Sequence, residues 1–137
     1  MIVVDTTVWI DFFNGAQSPE DLYLQQLIRQ ARSLALTDLI FCEILQGIRD
    51  DATYDRTRTI LLSYPILRMD TLAVFEQSAS IYRACRRRGL TVRKTIDCLI
   101  AAVCITNEVE LLHKDSDFSL IARVTLLQVH HVPAEPL

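Results

Sequence analysis

The sequence predicts an α/β domain with a central, mainly parallel sheet of four to five short strands flanked by helices. Short apolar runs alternate with segments of helical periodicity along the whole chain, an order typical of parallel α/β proteins. Half of the 137 residues are hydrophobic and only 3 are glycine, which favours a helix-rich globular protein over a disordered one. This length suits one hydrophobic core, so we expect a single domain over residues 1–137.

The first elements are a buried strand and a short helix. Residues 1–4 form an unbroken apolar run, as in a strand that is buried on both faces. Asp5 ends this run, and residues 8–13 then indicate a short helix that is closed by Asn14 and Gly15. An acid in this place lies at the carboxyl end of a strand, where open α/β sheets bind ligands. It can equally serve as the N-cap of the helix that follows.

The next elements are the second helix, a strand and the third helix. Ser18 followed by Pro19 is a strong helix start, because serine caps the first turn and proline fits its first position. Residues 33–36 fit a second buried strand. Thr37 can then cap a third helix over residues 39–49, on which Glu43 has apolar neighbours.

A fourth and a fifth helix occupy the middle of the chain. Residues 51–64 indicate one helix, and residues 66–67 indicate a short strand after it. Asp70 and Thr71 open a long helix that ends at Gly89, a residue favoured at helix C-termini. Its apolar side chains recur every three or four residues, the spacing of a helix. These side chains are Leu72, Phe75, Ala79 and Tyr82.

The last third of the chain holds two more helices and two more strands. Thr95 is expected to cap a buried helix that ends near Asn107, with Asp97 in its first turn. Residues 109–113 form a strand candidate, residues 117–123 a helix, and residues 124–129 a last strand. We assign no role to the adjacent His130 and His131, since neighbours in a strand point to opposite faces.

Composition excludes several classes of protein. No apolar run reaches the length of a membrane span, and no basic region precedes the apolar N-terminus, so we expect neither a membrane protein nor a signal peptide. A cytoplasmic location follows from this. The four cysteines lie in apolar, helical surroundings without a paired spacing, and we expect buried free thiols.

The charge distribution is uneven. The net charge of −3 argues against a general electrostatic attraction to nucleic acid. Residues 83–94, however, contain six of the 14 basic side chains and no acid. This basic segment fits either a solvated helix end or a surface that binds phosphate groups.

Four acids in similar structural positions point to metal chemistry. Parallel strands bring their carboxyl ends to one edge of the sheet, so Asp5 and Asp115 are expected to share that edge, with Glu43 and Asp97 within reach. Four carboxylates in one cleft repel each other unless a cation neutralises them. A ligand set made of oxygen atoms favours Mg²⁺, with Mn²⁺ as a substitute, and the chemistry implied is hydrolysis of a phosphodiester.

The same segments resemble a known family. Residues 5–11, Glu43 in a capped helix, residues 95–102 and residues 111–118 occur in the order and spacing typical of PIN-domain ribonucleases of the VapC toxin type. The resemblance covers essentially the whole chain. It implies a three-layer PIN-like sandwich, Mg²⁺-dependent endoribonuclease activity on RNA and a homodimer. It also implies a VapB-like antitoxin partner whose tail blocks the active-site groove.

The resemblance also implies roles for individual residues. Asp5, Glu43, Asp97 and Asp115 match the family's acids and are the expected catalytic and metal-binding residues, while Asp117 either assists as a ligand or caps the last helix. The other expected site residues bind the substrate or hold a carboxylate or water. They are Thr6, Arg93 and Lys94, of which the last two are expected to hold phosphates of the RNA.

Two other interpretations remain open at this stage. One is a catalytically inactive PIN-like module that binds RNA or a protein. The other is a phospho-aspartate protein, either a phosphatase or a receiver domain, because both classes place an aspartate after the first strand. The phosphatase pattern requires a second aspartate where this chain has Thr7.

Overall fold

The computed structural model describes residues 1–134 and confirms the predicted α/β architecture. Within those residues the chain forms five strands and seven helices. The strands are β1 (Ile2–Val4), β2 (Leu34–Thr37), β3 (Ile66–Leu67), β4 (Glu110–Leu112) and β5 (Gln128–Val129). The helices are α1 (Thr6–Asn14), α2 (Pro19–Arg29), α3 (Asp38–Gln46), α4 (Asp51–Leu61), α5 (Leu72–Arg87), α6 (Thr95–Thr106) and α7 (Ser116–Val124).

The sheet has the strand order β3-β2-β1-β4-β5, and each neighbouring pair is parallel. The chain adds β2 and β3 on one side of β1 and then returns to add β4 and β5 on the other side. β1 is therefore the central strand, and it pairs through Ile2 with both Leu34 and Glu110. The gap between β1 and β4 at their carboxyl ends is a topological switch point, the usual ligand position in such sheets.

The helices form two groups that cover the sheet. Helix α1 packs against α2 and α3, α3 also contacts α4, and α5, α6 and α7 pack together as a second group. Right-handed crossovers place these two groups on opposite faces of the sheet. Side chains of β1 are almost fully buried between them, as are Leu111 and Leu112 of β4, Trp9 on α1 and Phe118 on α7. None of the helices described in the structure is long and apolar enough to cross a membrane.

The predicted helix starts are confirmed where a side chain caps the first turn. The Ser18 hydroxyl accepts from the Asp21 amide at 3.1 Å, and the Thr37 hydroxyl accepts from the Ile40 amide at 3.1 Å. The start of α6 differs from the prediction. Thr95 is the first helical residue and Lys94 occupies the N-cap position. The Lys94 side chain forms no hydrogen bond that caps the helix.

The apolar stripe that the sequence indicates on α5 is exposed. Leu72 is 81% exposed, and Phe75, Ala79 and Tyr82 are exposed as well. The helix carries a second stripe, which packs inward and consists of Val74, Ser78, Ile81 and Cys85. Both stripes have helical spacing, and the inner one contains a serine and a cysteine that a search for large apolar residues undervalues.

Three further predictions require correction. The last strand is only Gln128–Val129, because α7 continues to Val124 and a short loop follows. Helices α3 and α4 end at Gln46 and Leu61, a few residues before the predicted limits. Cys42 is exposed, whereas the other cysteines are buried free thiols as expected.

Candidate metal centre

Two of the predicted acids end neighbouring strands. Asp5 follows β1, and its amide donates to the Leu112 carbonyl of β4 at 2.9 Å. Asp115 follows β4 by three residues. Each acid is also the N-cap of the next helix, because Asp5 accepts from the Thr7 amide and Asp115 from the Asp117 amide. The N-cap role and the position at the strand ends are therefore compatible.

The other two acids reach the same place from helices. Asp97 lies in the first turn of α6, and Glu43 lies on α3. All four acids line one cleft of about 250 Å³ at the switch point of the sheet. The same cleft is lined by Thr6, Thr7, Ile10, Gln46 and Lys94. The structure thus brings together the four acids that the sequence singled out.

Asp117 joins this cluster more closely than the sequence indicated. One carboxylate oxygen from each of Asp97, Asp115 and Asp117 lies within 4.8 Å of the other two. Asp117 is buried in the first turn of α7, and its Oδ2 accepts from the Arg93 amide at 3.3 Å. The tightest group of acids is therefore the one around Asp97, with Asp5 and Glu43 on the other side of the cleft.

Two consecutive threonines hold two of the carboxylates. The Thr6 hydroxyl donates to Glu43 Oε1 at 2.7 Å, and the Thr7 hydroxyl donates to Asp5 Oδ2 at 2.7 Å. The Thr7 oxygen also accepts from the Lys114 amide at 3.2 Å, which links the loop after β4 to α1. Thr6 is thus a partner of a carboxylate, one of the roles that the sequence left open for it.

The charges of the cleft are not balanced. Burial raises the pKa of Asp5 to about 6, although the hydrogen bonds from Thr7 oppose this shift. Burial, followed by the charges of Asp115 and Asp5, raises the pKa of Asp97 to about 7. Both carboxyl groups are buried, and within the described residues neither forms an ion pair, so this part of the cleft favours binding of a cation.

Asp97 supplies the most specific sign of a cation site. The side chain is only 4% exposed, and its Oδ2 has no hydrogen-bond partner among the described residues. A buried carboxylate oxygen without a partner is costly, and a metal ion removes this cost. The donor set consists of carboxylate oxygens, which suits Mg²⁺ or Mn²⁺ better than zinc.

Two cations stand beside the acids. Arg93 Nε lies 3.5 Å from Asp117 Oδ2, and Arg93 Nη2 lies 3.8 Å from Asp115 Oδ1. Lys94 Nζ lies 3.6 Å from Asp115 Oδ2. The two cationic side chains of the loop before α6 therefore pair with the acids at the start of α7.

Comparison with known proteins agrees with this geometry. The sequence profile described as "PIN domain" matches residues 2–124, which is most of the chain. The chain belongs to the PIN-domain family. It is 39% identical over 129 residues to VapC ribonuclease Mb1587 of Mycobacterium bovis and to Ribonuclease VapC11 of Mycobacterium tuberculosis. These alignments cover 93% of this chain and 96% of each relative, so the PIN domain described here groups with the VapC ribonucleases.

Solved structures share the fold at much lower sequence identity. VapBC2 from Rickettsia felis, bound to a DNA fragment from its promoter, matches with a TM-score of 0.73 at 17% identity. That match covers 95% of this chain and 98% of the other chain. FitAB bound to a DNA fragment matches with a TM-score of 0.72 at 18% identity and covers 99% of this chain. At these identities the similarity establishes the PIN fold alone.

Sequence reasoning missed Thr7 and Lys114. Thr7 stands two residues after Asp5, a spacing at which an aspartate often accepts from the backbone amide, and this local signal could have identified it. The Lys114 side chain pairs with Asp11 at 2.7 Å, which lowers the pKa of Asp11. That pair joins residues 103 positions apart, so no local pattern indicates it.

Proposed function

We propose that this protein is a metal-dependent endoribonuclease and the toxin of a type II toxin–antitoxin system. The unpartnered, buried Oδ2 of Asp97, in a cleft shared with Asp5, Glu43 and Asp115, is the observation that carries this proposal. The identity of 39% to VapC ribonucleases supports RNA as the substrate. An RNA substrate is consistent with the cytoplasmic location that we expect.

The acids would hold one or two divalent cations, with Mg²⁺ as the natural ion. Asp97 and Asp5 are the primary ligands in this proposal, and Asp115, Asp117 and Glu43 complete the set or orient water. When bound, such an ion polarises phosphate oxygens and activates water for attack on phosphorus. The protein itself must keep the carboxylates in place before the ion arrives.

The two threonines supply that fixed geometry. Thr6 holds Oε1 of Glu43, so Oε2 is left to accept a proton or to orient water. Thr7 holds Oδ2 of Asp5, which lines the cleft. Carboxylates that are oriented before the reaction lose little freedom during it, which contributes directly to rate.

Cations of the chain would bind the flanking phosphates of the RNA. Arg93 and Lys94 lie beside the cleft with exposed side chains, which suits contact with a phosphate backbone. Such contacts depend on charge more than on base identity, so they position the RNA without selecting a sequence.

The experiment that tests this function compares wild type with Asp97→Asn. Purified protein is incubated with single-stranded and structured RNA in Mg²⁺ and in excess EDTA. We expect cleavage by wild type in Mg²⁺ only, and no cleavage by Asp97→Asn under either condition. Equal cleavage in Mg²⁺ and EDTA, or RNA binding without any cleavage, would contradict the proposal, and the latter would favour the inactive binding module.

A VapB-like antitoxin is the partner in this proposal. Solved relatives include VapBC complexes and a toxin–antitoxin complex from Klebsiella pneumoniae. The test is inhibition of RNA cleavage by the product of a small neighbouring gene that binds the protein. Failure of every adjacent small gene product to bind it would argue against the toxin assignment.

A homodimer is the second assembly that we propose. The exposed stripe on α5 supports it, because Leu72, Phe75, Ala79 and Tyr82 repeat with the three- and four-residue spacing of helix–helix seams. Light scattering after gel filtration should give the mass of two chains for wild type and of one chain for Phe75→Asp. A wild-type monomer at micromolar concentration would contradict this part of the proposal.

A further inference from the structure

The acids of the cleft differ in the partners that the protein gives them. Asp115 and Asp117 are paired with Arg93 and Lys94 at 3.5 to 3.8 Å. Across residues 1–134, neither Asp5 nor Asp97 forms an ion pair with a cationic side chain. The charges of Asp115 and Asp117 are thus already neutralised by cationic side chains of the protein, whereas the charges of Asp5 and Asp97 are not.

The contacts of Arg93 can be exchanged. Its side chain is 67% exposed, and its two ion pairs are longer than a direct hydrogen bond. Its backbone amide, in contrast, donates to Asp117 Oδ2 and holds the loop in place. The guanidinium group can therefore turn away from the acids without moving the loop.

We propose that Arg93 is an internal counter-ion of the metal-free cleft that moves to an RNA phosphate when a divalent cation binds. This inference rests on the proposed function and deepens it. A divalent ion near Asp97 Oδ2 competes with the guanidinium for Asp115 and Asp117 and repels it. A guanidinium that is released at the mouth of the cleft faces the position of a flanking phosphate, which it binds well.

One substitution at Arg93 should strengthen the binding of Mn²⁺ and weaken the binding of RNA. Arg93→Gln removes the competing charge but keeps the backbone amide, so Mn²⁺ should bind about two- to fivefold more tightly, the range expected for an exposed ion pair. The same substitution removes a phosphate contact, so the KM for RNA should rise several-fold. The slope of log KM against log salt should fall by about 0.7, which corresponds to one phosphate on a single strand.

The experiment uses the full chain and measures metal and RNA separately. Isothermal titration calorimetry of the metal-free protein gives the Mn²⁺ affinity without RNA, and steady-state cleavage at several salt concentrations gives KM. Arg58→Gln is the matched control, because Arg58 is exposed on α4 and its loss changes the net charge equally. We expect Arg58→Gln to match wild type in both measurements.

The possible outcomes separate the inference from the proposed function. Tighter Mn²⁺ binding together with a higher KM in Arg93→Gln supports the exchange. Weaker binding of both Mn²⁺ and RNA means that Arg93 only supports the structure, and unchanged Mn²⁺ binding means that it does not compete; either result overturns the inference alone. A wild-type protein that takes up no Mn²⁺ overturns the proposed function and the inference together.

Discussion

Replacing Asp97 with asparagine should stabilise the metal-free protein above neutral pH, although it removes a group from the site. Burial and the charges of Asp115 and Asp5 raise the pKa of Asp97 from 3.8 to about 7 in the folded protein. The folded state therefore holds this proton more tightly than the unfolded state. The resulting stability is fully present below the unfolded pKa and is lost as the pH rises through about 7.

The size of the effect follows from the difference between the two pKa values. About three pKa units at 1.36 kcal/mol each give roughly 4 kcal/mol as the largest cost of ionising Asp97 on folding. Asparagine removes the charge but buries an amide, which costs part of the gain. We therefore expect a net gain of about 2 kcal/mol, or a rise in Tm of about 6 °C for a domain of this size.

The measurement is thermal unfolding followed by circular dichroism in EDTA between pH 5 and pH 8.5. The Tm of Asp97→Asn should gain on that of wild type as the pH rises from 5 to about 7, and the difference should then level off, because the loss is complete above the folded pKa. Asp55→Asn serves as the control, since Asp55 is exposed on α4. Added Mg²⁺ should raise the Tm of wild type at pH 8 but not that of Asp97→Asn.

One result would refute this reasoning directly. If Asp97→Asn were less stable than wild type at pH 8 in EDTA, the ionised carboxylate would not destabilise the metal-free protein. Burial of Asp97 without a paired cation would then not destabilise the protein, and the main physical reason for placing a metal ion there would be lost.

Three further predictions concern the supports of the site and the core. Thr7→Val should weaken Mn²⁺ binding about tenfold by releasing Asp5, whereas Thr7→Ser should restore it; calorimetry measures both, and equal affinities would contradict the role. Thr37→Ala should cost about 1 kcal/mol in urea unfolding, because the Ile40 amide loses its cap, and an unchanged midpoint would count against it. Leu36→Ala in the fully buried β2 should cost about 2–5 kcal/mol, and a loss below 1 kcal/mol would contradict the packing described.

Much of the fold could be predicted, because in many segments the local hydrogen bonds and the tertiary packing favour the same structure. Ser18 and Thr37 cap helices through contacts within three residues, and the apolar runs that precede helices became parallel strands. The inner face of α5 could not be predicted in this way. Leu72 and Phe75 are larger and more apolar than Ser78, so only the position of α6 and α7 decides which stripe is buried.

The site was predictable to a similar extent. The parallel sheet requires Asp5 and Asp115 to lie at one edge, so their proximity follows from strand order alone. The proximity of Asp117 to Asp97 depends on the packing of α7 against α6, which the sequence pattern does not specify. Which acids pair with Arg93 and Lys94 likewise depends on the path of the loop before α6.

The strand order has a consequence for synthesis of the protein. β1 is synthesised long before its partner β4, and the Lys114 amide reaches Thr7 across 107 positions. A nascent chain that ends before β4 lacks both Asp115 and the strand that fixes Asp5. The acidic cleft therefore forms only after β4 and Asp115 have been synthesised, and a product that ends before them would lack it.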